Sequence, residues 1–300
     1  MTTRSQLCTT SRPAPPPGLP SEPDVAGRAR AENFKVVSAV LPSDAAGHLR
    51  AFYGFARFVD ELGDSYPGDR LAALDWVEGE TAAALEDPAG RHPLVARAAE
   101  SVSTLGTDPA PLFDLIEANR LDQTKTCYAS FEELLAYCSL SANPVGRLVL
   151  GAFGFSDEAR LALSDLMCTG LQLVEHWQDV AEDARAGRVY VPAEDLARFG
   201  VDPSALAGPG PATTALRSLM VFEAARARTF LDGGLPLVGM LPRRAGWAVA
   251  GFWAGGTAAL DSLAAAGFDV LSAPRRAPRR RIAALALRAA VRRPSGGRAW

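Results

Sequence analysis

Two acidic stretches constrain this chain more than any other part of it: DELGD, Asp60 to Asp64, and EHWQDVAED, Glu175 to Asp183. Each holds aspartates four residues apart, Asp60 with Asp64 and Asp179 with Asp183, and on an α-helix that spacing projects both carboxylates from one face. Glu175 extends the second face by one more turn. Carboxylates repel a diphosphate unless divalent ions lie between them. Magnesium suits that place, because it takes oxygen ligands, keeps some water and bridges carboxylates to phosphate oxygens. Held in this way a diphosphate becomes a better leaving group, and C–O ionisation to a carbocation is favoured. A lone pair of acids on a helix is more often a solvated face, so the surroundings decide. Asp60 and Asp64 follow an aromatic, apolar segment, FYGFARFV. Arg57 stands one turn before Asp60, where it can reach phosphate oxygens or pair with Asp60 or Glu61.

The rest of the chain reads as helices punctuated by proline and glycine, with few alternating stretches and no repeat, so the expected class is all-α in one domain. Helices are expected over Glu32 to Leu41, from Ser43 through DELGD, over Asp69 to Glu86, Pro93 to Leu105 and Pro109 to Lys125. Ser130 and Glu133 form an S-x-x-E capping box at the next helix, which Pro144 in ANPVG breaks. A long helix, Ser156 to Ala186, carries the second acidic stretch. GRVYVP, a short helix near Ala193 to Phe199 and a Pro/Gly-rich loop from Val201 to Pro211 follow. Two last helices, parted by Pro236 and Pro242, run to about Phe268.

With 300 residues, 48% of them apolar, the chain has ample core for a single domain. Residues 1–27 lack an apolar run and are rich in Pro, Ser and Thr, which predicts a disordered leader, with the domain over 28–273. The four cysteines show neither CxxC spacing nor a histidine partner, so a reducing, cytoplasmic setting is expected. The run Ala245 to Leu260 is broken by glycines and is too short to span a bilayer. Residues 274–300 hold nine Arg and no acid, leaving 22 basic against 34 acidic residues in the remainder. Within that tail Arg281, Arg288 and Arg292 share a helical face away from Ile282, Leu287, Ala290 and Val291. This predicts a basic amphipathic helix on an anionic membrane surface, ahead of a solvated tail and well ahead of nucleic acid. GPGPAT, Gly208 to Thr213, is not a dinucleotide fingerprint, so no nicotinamide cofactor is expected.

FYGFARFVDELGD together with QLVEHWQDVAEDARAGRVYVP resembles the paired signatures of the squalene/phytoene synthase family. The likeness extends through ENF at Glu32 to Phe34, LLAYC before ANPVG, and AGGTAALDSLAAAGFDVL, covering roughly residues 31–275. It implies an all-α isoprenoid synthase fold with a central cavity between two aspartate-bearing helices, binding Mg²⁺ and a prenyl diphosphate. On that resemblance Asp60, Asp64, Asp179 and Asp183 are metal ligands, and Arg57, Arg188 and Tyr190 meet the diphosphate. Tyr137 matches a tyrosine of proton handling or cation stabilisation, although a buried, hydrogen-bonded tyrosine reads the same. Asn143 and Tyr53 are further catalytic candidates, and Asn33, Phe34 and Gln172 are substrate contacts. ENF, ANPVG and HWQDV are most similar to bacterial hydroxysqualene synthases of hopanoid pathways. That branch implies conversion of presqualene diphosphate to hydroxysqualene. Head-to-head condensation of two prenyl diphosphates stays open, as does a non-catalytic binding subunit. Glu175 departs from the family's usual Asn, and is either an extra metal ligand or a disturbance of the metals. His176, facing another way, is expected in the core rather than on metal.

Overall fold

The structure, a computed structural model, describes residues 14–20, 43–272 and 278–291. The helix expected over Glu32 to Leu41, with Asn33 and Phe34, lies outside the described residues, as does Arg292. The described chain is helical with no strand, as expected for the class. Helix α1 spans Ser43–Asp64, α2 Arg70–Glu86, α3 Pro93–Leu105, α4 Ala110–Leu121, α5 Phe131–Ser141 and α6 Asn143–Ala152. Then come α7 at Glu158–Arg185, α8 at Ala193–Phe199, α9 at Thr214–Gly234, the single turn α10 at Leu237–Met240, α11 at Arg243–Ala265 and α12 at Arg279–Val291.

Side chains cap four of these helices, where the sequence offers a short oxygen. Asp69, Ser130, Asp157 and Thr213 each accept a first-turn N–H, each typically worth about 1 kcal/mol. The capping box at Ser130 differs from expectation in its second half. Glu133 accepts from the Ala129 N–H at 2.5 Å and pairs with Lys125.

Two cores result. In one, α1 packs on α2, α3 and α4 through Phe55, Phe58, Val59 and Leu62, all fully buried. In the other, α7 lies along α9 and α11, with Leu173, Val174 and Trp177 inside. That second packing is close because Gly170 and Gly234 leave no side chain between helices. A Cβ on Gly170 would stand 2.7 Å from the Leu231 backbone nitrogen, and one on Gly234 would stand 2.8 Å from Met167. The aspartate-bearing helices α1 and α7 are joined through α6, which packs against both. The break that frees α6 from α5 falls at Ala142, just before Pro144.

Residues 14–20, within the stretch set aside as a leader, lie against the first core. Leu19 packs there and the Tyr66 hydroxyl donates to the Pro17 carbonyl at 2.8 Å. At the other end α12 runs along α11 and touches α10. Ala289 and Ala290 are buried against Val238 and Ala250, and Arg281 pairs with Asp261 at 2.7 Å. Part of the apolar face expected to be free for a surface is thus spent on the protein, because two alanines fit closely over α11, while Leu287 and Val291 stay exposed. Among the described residues no helix is long and apolar enough to cross a membrane.

Candidate active site

On α1 the buried stripe of Phe55, Phe58, Val59 and Leu62 turns Tyr53, Arg57, Asp60 and Asp64 toward the more open side. Arg57 stands 3.9 Å from Asp60 and 3.8 Å from Glu61, so its guanidinium leans on both acids at long range. Asn119, on α4, donates to Asp60 Oδ1 at 3.3 Å. It reaches there because residue 63 is glycine: a Cβ at Gly63 would fall 2.3 Å from the Asn119 amide oxygen. Gln123 fastens the same spot by donating to the Gly63 carbonyl at 3.0 Å. Phe52 and Phe55 belong to the packed core.

On α7 the fully buried Trp177, whose indole N–H donates to the Glu223 carbonyl on α9 at 3.1 Å, sets the rotation of the helix. Glu175, Asp179 and Asp183 then share the accessible face. Crowding by the protein raises the carboxyl pKa of all three. Burial acts first in each case, with Asp179 adding to the rise at Glu175 and Glu182 to that at Asp179. Asp183 is pushed up to about 6 by burial and Asp179, against the pull of Arg188. Glu175 is solvent-accessible and still feels this protein environment, as a group on the wall of a recess does.

Arg188 and Tyr190 reach this face from the segment after α7. Gly187, at φ +85° where only glycine sits without strain, turns the chain back. The segment then runs beside the residues after α4: the Val189 N–H donates to the Thr126 carbonyl at 2.8 Å and the Ala193 N–H to Tyr128 at 2.9 Å. Two residues apart on extended chain, Arg188 and Tyr190 point the same way. Arg188 stands 3.7 Å from Asp64, so the two acidic motifs meet across one guanidinium. Tyr190 stacks on His176 with centroids 3.8 Å apart. His176 is buried, which holds its pKa down to about 3 and its ring neutral. It sits in the core, as expected, and Gln172 lies 3.3 Å from its Nε2.

Tyr137 donates to Asp122 Oδ2 at 2.8 Å, and the rings of Tyr128, Tyr137, Tyr190 and His176 gather around one another. Asn143 is buried and accepts from the Thr169 hydroxyl at 2.9 Å, tying α6 to α7. Sequence reasoning missed Asn119, Asp122 and Tyr128. The helix expected to run to Lys125 ends at Leu121, and the polar run Asp122 to Thr126 was the signal for that end. A separate cleft of about 670 Å³, lined by Arg228, Trp253, Thr257 and Asp261 among others, opens under α12 and takes in none of these site residues.

Among the described residues no three of His, Cys, Asp and Glu stand together as a group that could hold a metal ion. The donors facing this space are nevertheless all oxygens, crowded enough to raise one another's pKa. Such a set fits a hard divalent cation that completes its shell with phosphate and water rather than a closed protein cage.

The all-helical architecture, shared with solved squalene and dehydrosqualene synthases, is an isoprenoid synthase fold. The chain belongs to the squalene/phytoene synthase family, whose model matches residues 28–283. Members are prenyltransferase-type enzymes acting on prenyl diphosphates with divalent metal. The chain is 34% identical over 215 residues to a hydroxysqualene synthase of Sinorhizobium fredii, covering 70% of this chain and 71% of that one. It is 30% identical to a chloroplastic phytoene synthase of Narcissus pseudonarcissus, covering 73% of this chain and 53% of the other. Its fold is similar to the crystal structure of squalene synthase HpnC from Alicyclobacillus acidocaldarius, with TM-score 0.77 and 39% identity, covering 81% and 91% of the two chains.

Proposed function

We propose that this protein converts presqualene diphosphate to hydroxysqualene, releasing diphosphate in a Mg²⁺-dependent reaction. The observation that carries the reading is Arg188 placed between Asp64 and the Asp183 face, on a chain related to hydroxysqualene synthases. Asp60, Asp64, Asp179 and Asp183 would hold the ions, with Glu175 one turn further along the same face. The ions supply charge neutralisation on the departing diphosphate. Arg57 and Arg188 bind its remaining oxygens. Tyr190, packed against the buried Tyr128 and Tyr137, walls this side of the site and limits bulk water there. Head-to-head condensation of two prenyl diphosphates is the second reading, favoured by the likeness to phytoene synthase.

Incubation with Mg²⁺ and either presqualene diphosphate or farnesyl diphosphate, followed by mass spectrometry, separates the two. Hydroxysqualene from presqualene diphosphate is the expected product. Consumption of farnesyl diphosphate alone would move the assignment to condensation. The Glu175→Asn variant belongs in the same assay. If Glu175 ligates metal, the variant needs more Mg²⁺ for half-maximal rate; if Glu175 is a disturbance, the variant is faster than the parent at every Mg²⁺ concentration. Docking through the tail on the inner membrane surface is part of this proposal, since substrate and product are lipids.

A further inference from the structure

Helix α12 turns its basic stripe toward the protein. Arg281, Leu285, Arg288 and Ala289 fall four, seven and eight residues apart, so they share one side of the helix. All four line the cleft of about 670 Å³ that lies between α12 and helices α9, α10 and α11. The arginines expected to meet a membrane surface thus border a cavity in the body, while both stay reachable from solvent.

The charges around this cleft do not balance. Its lining holds Arg228, Arg281 and Arg288 against Asp232 and Asp261, which leaves one positive charge in excess. Asp261 serves two of the arginines, accepting from Arg228 on Oδ1 at 2.8 Å and from Arg281 on Oδ2 at 2.7 Å. Asp232 accepts from the Trp253 indole N–H at 3.0 Å. Arg288 has no acid partner among the described residues. Leu235, Val238, Trp253 and Leu285 supply apolar wall beside these groups. A cleft of this volume, largely apolar and with a few convergent polar groups, has the form of a small-molecule site.

Thr257 on α11 adds a separate sign. It lines the cleft, is only 3% exposed, and its hydroxyl has no hydrogen-bond partner among the described residues. Other helical hydroxyls in this chain are satisfied by the carbonyl one turn back: Thr81, Ser141, Thr229 and Ser262 donate to residue i−4 at 2.7, 3.1, 3.0 and 2.9 Å. Buried polar groups are nearly always paired. An orphan hydroxyl beside a cavity is therefore matched to a polar atom of an occupant.

We propose that the cleft under α12 is a second binding site, taking one lipid whose head carries a single negative charge. The head pairs with Arg288 and joins the charge shared by Arg281 and Arg228, and the hydrocarbon lies against Leu235, Val238 and Trp253. A phosphodiester or a carboxylate head has this chemistry, and guanidinium groups suit both. The site stands apart from the reaction assigned above, since it uses none of the acidic faces and needs no turnover.

The test is calorimetric titration of the full-length protein in EDTA with soluble lipids below their micellar concentrations. Dihexanoylphosphatidylglycerol should bind one per chain, at least tenfold tighter than the zwitterionic dihexanoylphosphatidylcholine. Arg288→Glu should weaken it about tenfold or more, and Thr257→Val about fivefold, the scales of a charged and a neutral hydrogen bond. The thermal midpoint of free Thr257→Val should stay level or rise, because the orphan hydroxyl gives the empty protein nothing; a structural threonine would lower it and leave affinity alone. Decanoate reads the other source: whichever of the two anions binds with the same losses in the variants identifies the head. Equal binding of the two phospholipids, binding that neither variant weakens, or no binding of either anion overturns the proposal.

Discussion

Gly63 is the smallest residue in DELGD and fixes how close α4 comes to Asp60. Its missing side chain admits the Asn119 amide, which donates to Asp60 and to the Leu115 carbonyl. Gly63→Ala places a methyl group 2.3 Å from that amide oxygen. The expected cost is about 1–3 kcal/mol of stability, read as a lowered thermal midpoint, together with a higher Mg²⁺ requirement for turnover. Adding Asn119→Ala should return the stability and leave the Mg²⁺ defect, because the clash is relieved and the hydrogen bond to Asp60 is still missing.

Helix α9 carries an acid that the site does not use. Glu223 is fully buried under Trp177 with Arg226 at 3.4 Å, and Arg226 also pairs with the buried Asp195. Burial pushes Glu223 up from 4.5 to about 8, with Arg226 pulling down and Asp195 pushing up. The folded protein therefore keeps a proton that the unfolded chain releases near the ordinary glutamate value. The stability this proton brings is whole at low pH and is lost as pH rises toward about 8. Glu223→Gln removes the dependence. Its thermal midpoint relative to the parent should climb from pH 5 to 8 and level off above, and a difference that shrinks over that range would contradict the account.

Much of this helical plan was legible. Pro93 with Gly106, and Pro192 with Gly200, bound α3 and α8 where proline and glycine predict. The two carboxylate faces followed from spacing alone. The pairing of residues 126–129 with Val189 and its neighbours was not legible, because three backbone bonds between segments some sixty residues apart leave no local pattern. Asp122, Tyr128 and the orientation of Tyr190 depend on that pairing and stayed hidden with it.

At the scale of the molecule, α12 ties the tail to the body while Arg279, Arg280, Leu287 and Val291 remain exposed. A chain ending at Ala273 should stay folded, melt lower through exposure of Val238 and Ala250, and lose co-sedimentation with anionic vesicles. High salt should release the full-length chain from those vesicles. Retained vesicle binding by the shortened chain would place the contact elsewhere.

Between its two halves the molecule also keeps a clasp. Arg188 leans on Asp64 from 3.7 Å, too far for a strong bond and near enough to hold the facing rims in register. On the function proposed above, an incoming diphosphate would compete for that same guanidinium. On that function each catalytic cycle would begin by exchanging an internal fastening of Arg188 for one made by the substrate.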